Sequence, residues 1–236
     1  VVDKHGAIIR GDVSRKWITL VFTGDEFADG GEVIRRTLKA NEVSAAFFLT
    51  GNFYQNKKHR SLIAGLKKDG HYLGAHSDKH LLYADWTKRD SLLVSEEEFK
   101  SDLLANYEKM REFGVEKSDA PFFLPPYEWY NATIAKWTEQ LGLRLINFSP
   151  GTRSHADYTY PEMGNRYVSS QTVYSSIIDY EKKNEHGLNG FILLVHIGTD
   201  SRRVDKFYNK LDSLLGDLKL RGYEFVSLTR MLGGGD

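Results

Sequence analysis

His76 and His80, in the stretch GHYLGAHSDKH, have a type and spacing that could do chemistry. The i, i+4 separation predicts that both rings lie on one side of a helical turn, within reach of a single divalent ion. With eight histidines in 236 residues, such a pair is a modest signal by itself. Its surroundings add to it. An acidic loop, Asp25-Glu26-Phe27-Ala28-Asp29, follows an early apolar run, and a second apolar run ends in His196. Two imidazoles and a carboxylate form a donor set for a borderline divalent metal, and a further imidazole can transfer a proton.

The elements that must position these groups read as repeated strand-then-helix units. Strand candidates are Trp17–Phe22, Ser44–Leu49, Tyr72–Ala75, Pro121–Leu124, Leu143–Asn147, Gly190–Val195 and Tyr223–Ser227. Several are continuous apolar runs, as expected where both faces of a parallel sheet are buried. Between them, Ser95 and Glu98 form a capping-box signature ahead of Phe99, Leu103, Tyr107 and Met110 on one helical face. Phe207, Leu211, Leu214 and Leu218 repeat that spacing, with Gly222 as a C′ residue before the last strand. Seven strands alternating with helices predict one α/β domain over residues 1–236, a distorted barrel of seven or eight parallel strands. The loops at the strand C-termini then converge on one face. These are the loops after Phe22, Ala75, Leu124, Asn147 and Val195, which bring the acidic loop, the histidine pair and His196 together.

Composition removes several function classes. Lys+Arg and Asp+Glu both number 32, so there is no basic excess to bind nucleic acid or an anionic membrane. No apolar run approaches the ~20 residues needed to span a bilayer. Cysteine is absent, which excludes thiolate nucleophiles and Cys-ligated metal and leaves His and carboxylates as ligands. Aromatic residues make up 13%, enough to supply surface as well as core. Trp86 and Trp129 sit beside the loops that carry the candidate residues.

In ordered motifs the chain resembles the polysaccharide deacetylases, the NodB-homology or carbohydrate esterase family 4 enzymes. His76-Ser77-Asp78-Lys79-His80 matches the family's His-Ser/Thr-x-x-His, and Leu194-Val195-His196 matches its final Leu-x-His strand end. Phe123-Leu124-Pro125-Pro126-Tyr127 is similar to its Arg-x-Pro-Tyr motif, and Ala46-Phe47-Phe48-Leu49-Thr50-Gly51 to its Ala-Thr-Phe-Phe-x-x-Gly strand. The resemblance implies metal-dependent removal of N- or O-acetyl groups from a glycan. It implies Asp25, His76 and His80 as ligands to a divalent ion, zinc first and cobalt, nickel or manganese as alternatives. It further implies His196 as general acid, the backbone at Tyr127 as oxyanion site, and Leu194 with Trp86 and Trp129 at the substrate. A periplasmic or extracellular location is the family expectation, although the chain begins at Val1 without a signal-like segment.

Two departures stand against these matches. The family's first motif, Thr-Phe-Asp-Asp-Gly, falls on Val21-Phe22-Thr23-Gly24-Asp25, so a hydroxyl occupies the position of the catalytic base. The arginine that holds that base falls at Leu124. An arginine without its carboxylate would be an unpaired charge in the site, so the two losses agree. Asp29, Asp25 or Glu26 is then expected to serve as a relocated base. The family's Asp-x-x-Asp-Trp is unmatched, with Phe148-Ser149-Pro150-Gly151-Thr152 near its place. The enzyme reading therefore has two rivals: a glycan-binding protein on a deacetylase scaffold, and an amidase acting on a non-sugar C–N bond.

Overall fold

Strand β1 (Trp17–Gly24) runs through the interior of a parallel sheet in the computed structural model, which describes residues 1–233. The other strands are β2 (Ala46–Leu49), β3 (Tyr72–Ala75), β4 (Phe122–Phe123), β5 (Arg144–Leu145), β6 (Phe191–His196) and β7 (Glu224–Phe225). Each expected strand is present, several shortened to two residues where the loops take over. The order is β5-β4-β3-β2-β1-β6, with β7 paired to the start of β1, and every pairing is parallel. The sheet curls into a half-barrel, and the gap between its outer strands is stitched by irregular chain. Ile8 bridges Ile146 and Arg10 bridges Phe191, while the Ser149 N–H donates to the Ile192 carbonyl at 3.0 Å.

Side-chain parity then decides what reaches the mouth of this half-barrel. Successive strand residues face opposite sides. Ile18, Leu20 and Phe22 of β1 and Phe191, Leu193 and Val195 of β6 face outward and pack under the helices. Val21, Ala46, Phe48, Phe122, Leu124, Ile192 and Leu194 face inward and form a second, smaller cluster. Fully burying such a side chain contributes about 2 kcal/mol, so register is strongly specified on both faces. On the inward parity Thr23 and His196 come next beyond Val21 and Leu194, and they are register partners at the ends of β1 and β6. Gly74, also inward, has no room for a side chain, since a Cβ there would lie 2.4 Å from the Phe48 ring.

The helix Glu96–Arg111 starts as expected, with Ser95 and Glu98 forming a complete capping box. It buries Phe99, Leu103, Tyr107 and Met110, and within the same stripe Asp102 and Asn106. The run around Phe207 starts as a 3₁₀ turn (Phe207–Lys210) before the helix Leu211–Leu220. Gly222 follows at φ 86, as expected for a residue that reverses the chain into β7. No helix of the described residues is long and apolar enough to cross a membrane.

Candidate active site

The histidine pair does not lie on a helix. Residues 76–80 form a loop off the end of β3, and Ser77 and His80 adopt φ values of 76 and 55, a region that favours glycine. Buried acceptors hold this conformation. The Asp102 carboxylate accepts from the Ser77 hydroxyl at 2.6 Å, the Tyr83 hydroxyl at 2.8 Å, and the N–H groups of Asp78 and Lys79 at 3.2 and 3.0 Å. One helical turn on, Asn106 Oδ1 accepts from the His76 N–H at 2.9 Å. A loop so fully bonded can sustain unfavourable dihedrals of about 1–3 kcal/mol each. The expected proximity of the two rings is retained, with centroids 5.2 Å apart, but tertiary hydrogen bonds produce it rather than a helical turn.

Both imidazoles are held neutral. Burial lowers His76 well below the usual histidine range, with His80 adding to the effect. His80 is lowered by burial too, partly offset by the nearby Asp25 carboxylate. His76 Nδ1 lies 2.7 Å from the Leu124 carbonyl, an acceptor that requires the proton on Nδ1 and leaves the Nε2 lone pair free. A ring nitrogen oriented in this way is the usual arrangement of a metal-ligating histidine.

The carboxylate part of the expected ligand set is not in place. Asp25 lies in the same cleft, but one of its oxygens accepts from the Thr50 hydroxyl at 2.7 Å and the Asn52 amide at 3.1 Å. Among the described residues no group of three His, Asp or Glu side chains stands at metal-ligand spacing. The imidazole pair suits a divalent ion; the third protein donor does not join it. Thr23, at the position of the family's base, is 2% exposed and its hydroxyl meets no partner.

Asp29 is a strut. Its carboxylate accepts from the Thr199 N–H at 2.8 Å and the Tyr208 hydroxyl at 3.0 Å, and pairs with Lys206 at 2.8 Å. Three donors tie the loop after β1 to the chain beyond β6, and Asp29 does not line the cleft. The expectation that it could act as base is corrected on that ground.

His196 is served by a carboxylate that the motif comparison had left unmatched. Its Nδ1 lies 2.6 Å from Asp157 Oδ1 and its N–H donates to Oδ2 at 3.0 Å. Burial acts to lower the His196 pKa, but the adjacent Asp157 charge and hydrogen bond outweigh this and raise it above the usual value. Asp157 follows a 3₁₀ turn (Ser154–Ala156) in the long irregular stretch after β5, several residues downstream of Phe148–Thr152. Only the presence of a carboxylate in a loop at the correct end of the sheet could have pointed to it. Arg203, a charged residue in the loop after β6, is fully buried. It donates to the carbonyls of Thr159 and Val168 and to the Ser170 hydroxyl, clamping the loop that carries Asp157.

These groups surround a cleft of about 790 Å³ lined by Thr23, Asp25, His76, His80, Glu128 and His196, with Trp86, Tyr127, Tyr158 and Tyr160 on its walls. Tyr127 is 44% and Trp86 54% exposed. The Tyr127 ring packs against His80 at 4.4 Å and edge-on to Trp86 at 5.6 Å. Trp129 lies behind Trp86, with ring centroids 5.3 Å apart, and is covered by the Arg89 guanidinium at 4.0 Å; it supports the wall without lining it. Leu194 is fully buried in the inner cluster beneath the site, because parity turns it inward two residues before the strand reaches the mouth. Neither Trp129 nor Leu194 reaches the cleft as expected.

The turn after β4 carries the least comfortable backbone of the site. Tyr127 and Glu128 are consecutive non-glycine residues at φ 60 and 54. The N–H groups of Glu128 and Trp129 donate to Pro125 and Pro126, and Asn147 Nδ2 donates to the Glu128 carbonyl at 2.9 Å. Among the described residues the Tyr127 N–H has no backbone acceptor. Glu128 points into the cleft, where burial pushes its carboxyl up to about 7, His196 pulling in the opposite direction. No sequence motif singled it out.

A family model described as polysaccharide deacetylase matches residues 11–146, more than half of the chain. A peptidoglycan-N-acetylmuramic acid deacetylase of Bacillus subtilis is 25% identical over 238 residues, covering 98% of this chain and 77% of that one. An uncharacterised 30.6 kDa protein of Geobacillus stearothermophilus is 28% identical over 229 residues, covering 97% and 75%. Among solved structures, a family 4 carbohydrate esterase from Bacillus anthracis superposes with a TM-score of 0.70 at 22% identity, covering 98% and 89%. A family 4 pseudoenzyme from the same organism gives 0.73 at 17% identity, covering 98% and 70%.

Proposed function

The chain belongs to the polysaccharide deacetylase family, and from that premise we propose that it is a hydrolase removing N- or O-acetyl groups from a carbohydrate polymer or oligosaccharide. The observation that carries this reading is the Asp157–His196 pair facing the His76–His80 pair across one aromatic-walled cleft. Trp86 and Tyr127 offer ring faces on which a sugar stacks, which orients its acetyl group toward the floor. His196, kept protonated by Asp157, gives its proton to the departing amine or alkoxide. The free Tyr127 N–H faces the oxygen that becomes negative, where one preorganised donor contributes about 3–4 kcal/mol. His76 and His80 would hold a divalent ion, zinc first and cobalt, nickel or manganese as alternatives, which when bound polarises the acetyl carbonyl and acidifies water. An envelope or extracellular glycan as substrate puts the protein outside the cytoplasmic membrane.

A specific observation favours a second reading. A hydroxyl and a glycine, Thr23 and Gly24, occupy the positions of the family's two aspartates, so the same cleft could bind an acetylated glycan without hydrolysing it. Acetate release separates the two. The zinc- or cobalt-loaded protein is mixed with a panel of acetylated oligosaccharides, with His76→Ala and His196→Ala as controls. The deacetylase reading expects release well above both controls. No release on any glycan, together with glycan-induced thermal stabilisation, supports the binding reading instead. Metal content of the protein and of His80→Ala tests the ion separately: equal content in the two rejects the site.

A further inference from the structure

We infer that Glu128 is the general base of this site, replacing the carboxylate that Thr23 and Gly24 no longer supply. The inference rests on the deacetylase reading above and concerns one residue within it. Four carboxylates line the cleft: Asp25, Glu26, Glu128 and Asp200. Asp25 is engaged by Thr50 and Asn52, and Asp200 is paired with Arg202 at 2.5 Å. Glu26 is exposed at the mouth. Glu128 alone of the four is both partly buried and without a hydrogen bond or ion pair to its carboxyl among the described residues, and it lies near enough to His196 and Asp157 to feel their charge.

Its backbone argues in the same direction. A φ of 54 is a conformation in which glycine is at ease and glutamate costs roughly 1–2 kcal/mol. Strain of this kind clusters where a side chain must be aimed at a particular point. Above the buried Thr23 hydroxyl, unpartnered among the described residues, the cleft has room for a water molecule. The water loses a proton to the Glu128 carboxylate as its oxygen bonds to the acetyl carbon. The C–N or C–O bond of the tetrahedral intermediate then breaks as His196 donates its proton to the leaving atom. Transfer of the Glu128 proton to His196, directly or through water, restores both groups. The products are acetate and the free amine or hydroxyl.

Glu128→Gln and Glu128→Gly are compared with wild type for acetate release, glycan binding by calorimetry, and thermal midpoint. The expected result is a fall in kcat of about 10²–10⁴-fold in both variants, with KM within about threefold. Thermal midpoints at pH 8 should be equal to or above wild type, and highest for Glu128→Gly, which relieves the backbone. Release by Glu128→Gln within about fivefold of an active wild type overturns the inference and leaves the deacetylase reading standing. Loss of activity accompanied by lower midpoints or lost glycan binding in both variants assigns Glu128 a structural role and overturns it too. A wild type silent on every glycan removes the deacetylase reading itself, and the base with it.

Discussion

The two loops that meet at the mouth of the sheet are built differently. The His76–His80 loop is bonded from behind: Asp102 and Asn106, buried on one helix, satisfy its hydroxyl and N–H groups, and Leu124 orients one imidazole. The loop at the end of β1 has no such backing at its tip. Thr23 carries an unpartnered hydroxyl, Gly24 carries no side chain, and Asp25 bonds sideways to Thr50 and Asn52. In the first loop the backbone and hydroxyl donors of residues 76–79 converge on Asp102 and Asn106, so a change at those acceptors costs stability as well as function. In the second, the polar side chains of Thr23 and Asp25 answer to no such set of buried partners, although Gly24 is hemmed in by Ile197 and Leu49. A site assembled from one of each can keep its imidazoles while its carboxylates move.

Substitutions at the two loops should therefore fail in different ways. The largest effect is expected for His196→Ala, which removes the proton donor and should lower kcat by about 10²–10⁴-fold; a smaller fall would take the acid role from His196. Asp102→Ala should be the most damaging to stability. It strips four donors of a buried acceptor and is expected to cost about 3 kcal/mol, with the order of 5–10 °C in Tm, and acetate release should fall with it. A Tm within about 2 °C of wild type would erase the contrast between the loops.

The pH dependence follows from Glu128. Burial raises its folded-state pKa from 4.5 to about 7, and His196, Asp157 and Tyr158 are the titratable groups facing it. A base must be ionised, so kcat/KM should rise through about pH 7, and the raised His196 sets the alkaline limb. For stability the sign is opposite. A carboxyl with a raised folded pKa contributes stability that is fully present below pH 4.5 and lost as pH rises to about 7. Glu128→Gln should therefore gain on wild type above pH 7, by on the order of 1 kcal/mol once solvent contact in the cleft is allowed for. Denaturant midpoints of the two proteins at pH 4 and pH 8 provide the check, and an unchanged difference between them would reject the shift. The smallest effect is expected at Asp29→Ala, where a partly exposed strut is lost: about 1 kcal/mol of stability and kcat within about threefold. A large loss of kcat with stability intact would return Asp29 to the chemistry.

The resemblance to known deacetylases rested on particular residues, and so did its limits. The strand runs were legible because several are apolar on both parities, and parity carried His76 and His196 to the same inner edge of the sheet. The helix Glu96–Arg111 was legible from its cap and apolar stripe. Asp102 and Asn106 within that stripe looked like ordinary polar residues, since nothing local tells a solvated Asp from one that accepts four hydrogen bonds in the interior. Asp29 has the composition of a base candidate, and only its three donors from the chain beyond β6 make it a strut.

Sequence by itself determined the sheet and its family, because strand parity and ordered motifs are properties of contiguous residues; it also named His76 and His80, whose approach tertiary hydrogen bonds then set. Tertiary structure alone decided the carboxylate half. Asp157 reaches His196 from 39 residues away, and Glu128 enters the cleft because two consecutive residues adopt left-handed dihedrals that no local preference favours. Which carboxylate is left to accept a proton depends on where donors such as Thr50, Asn52 and Thr199 are, and those lie on other segments of the chain.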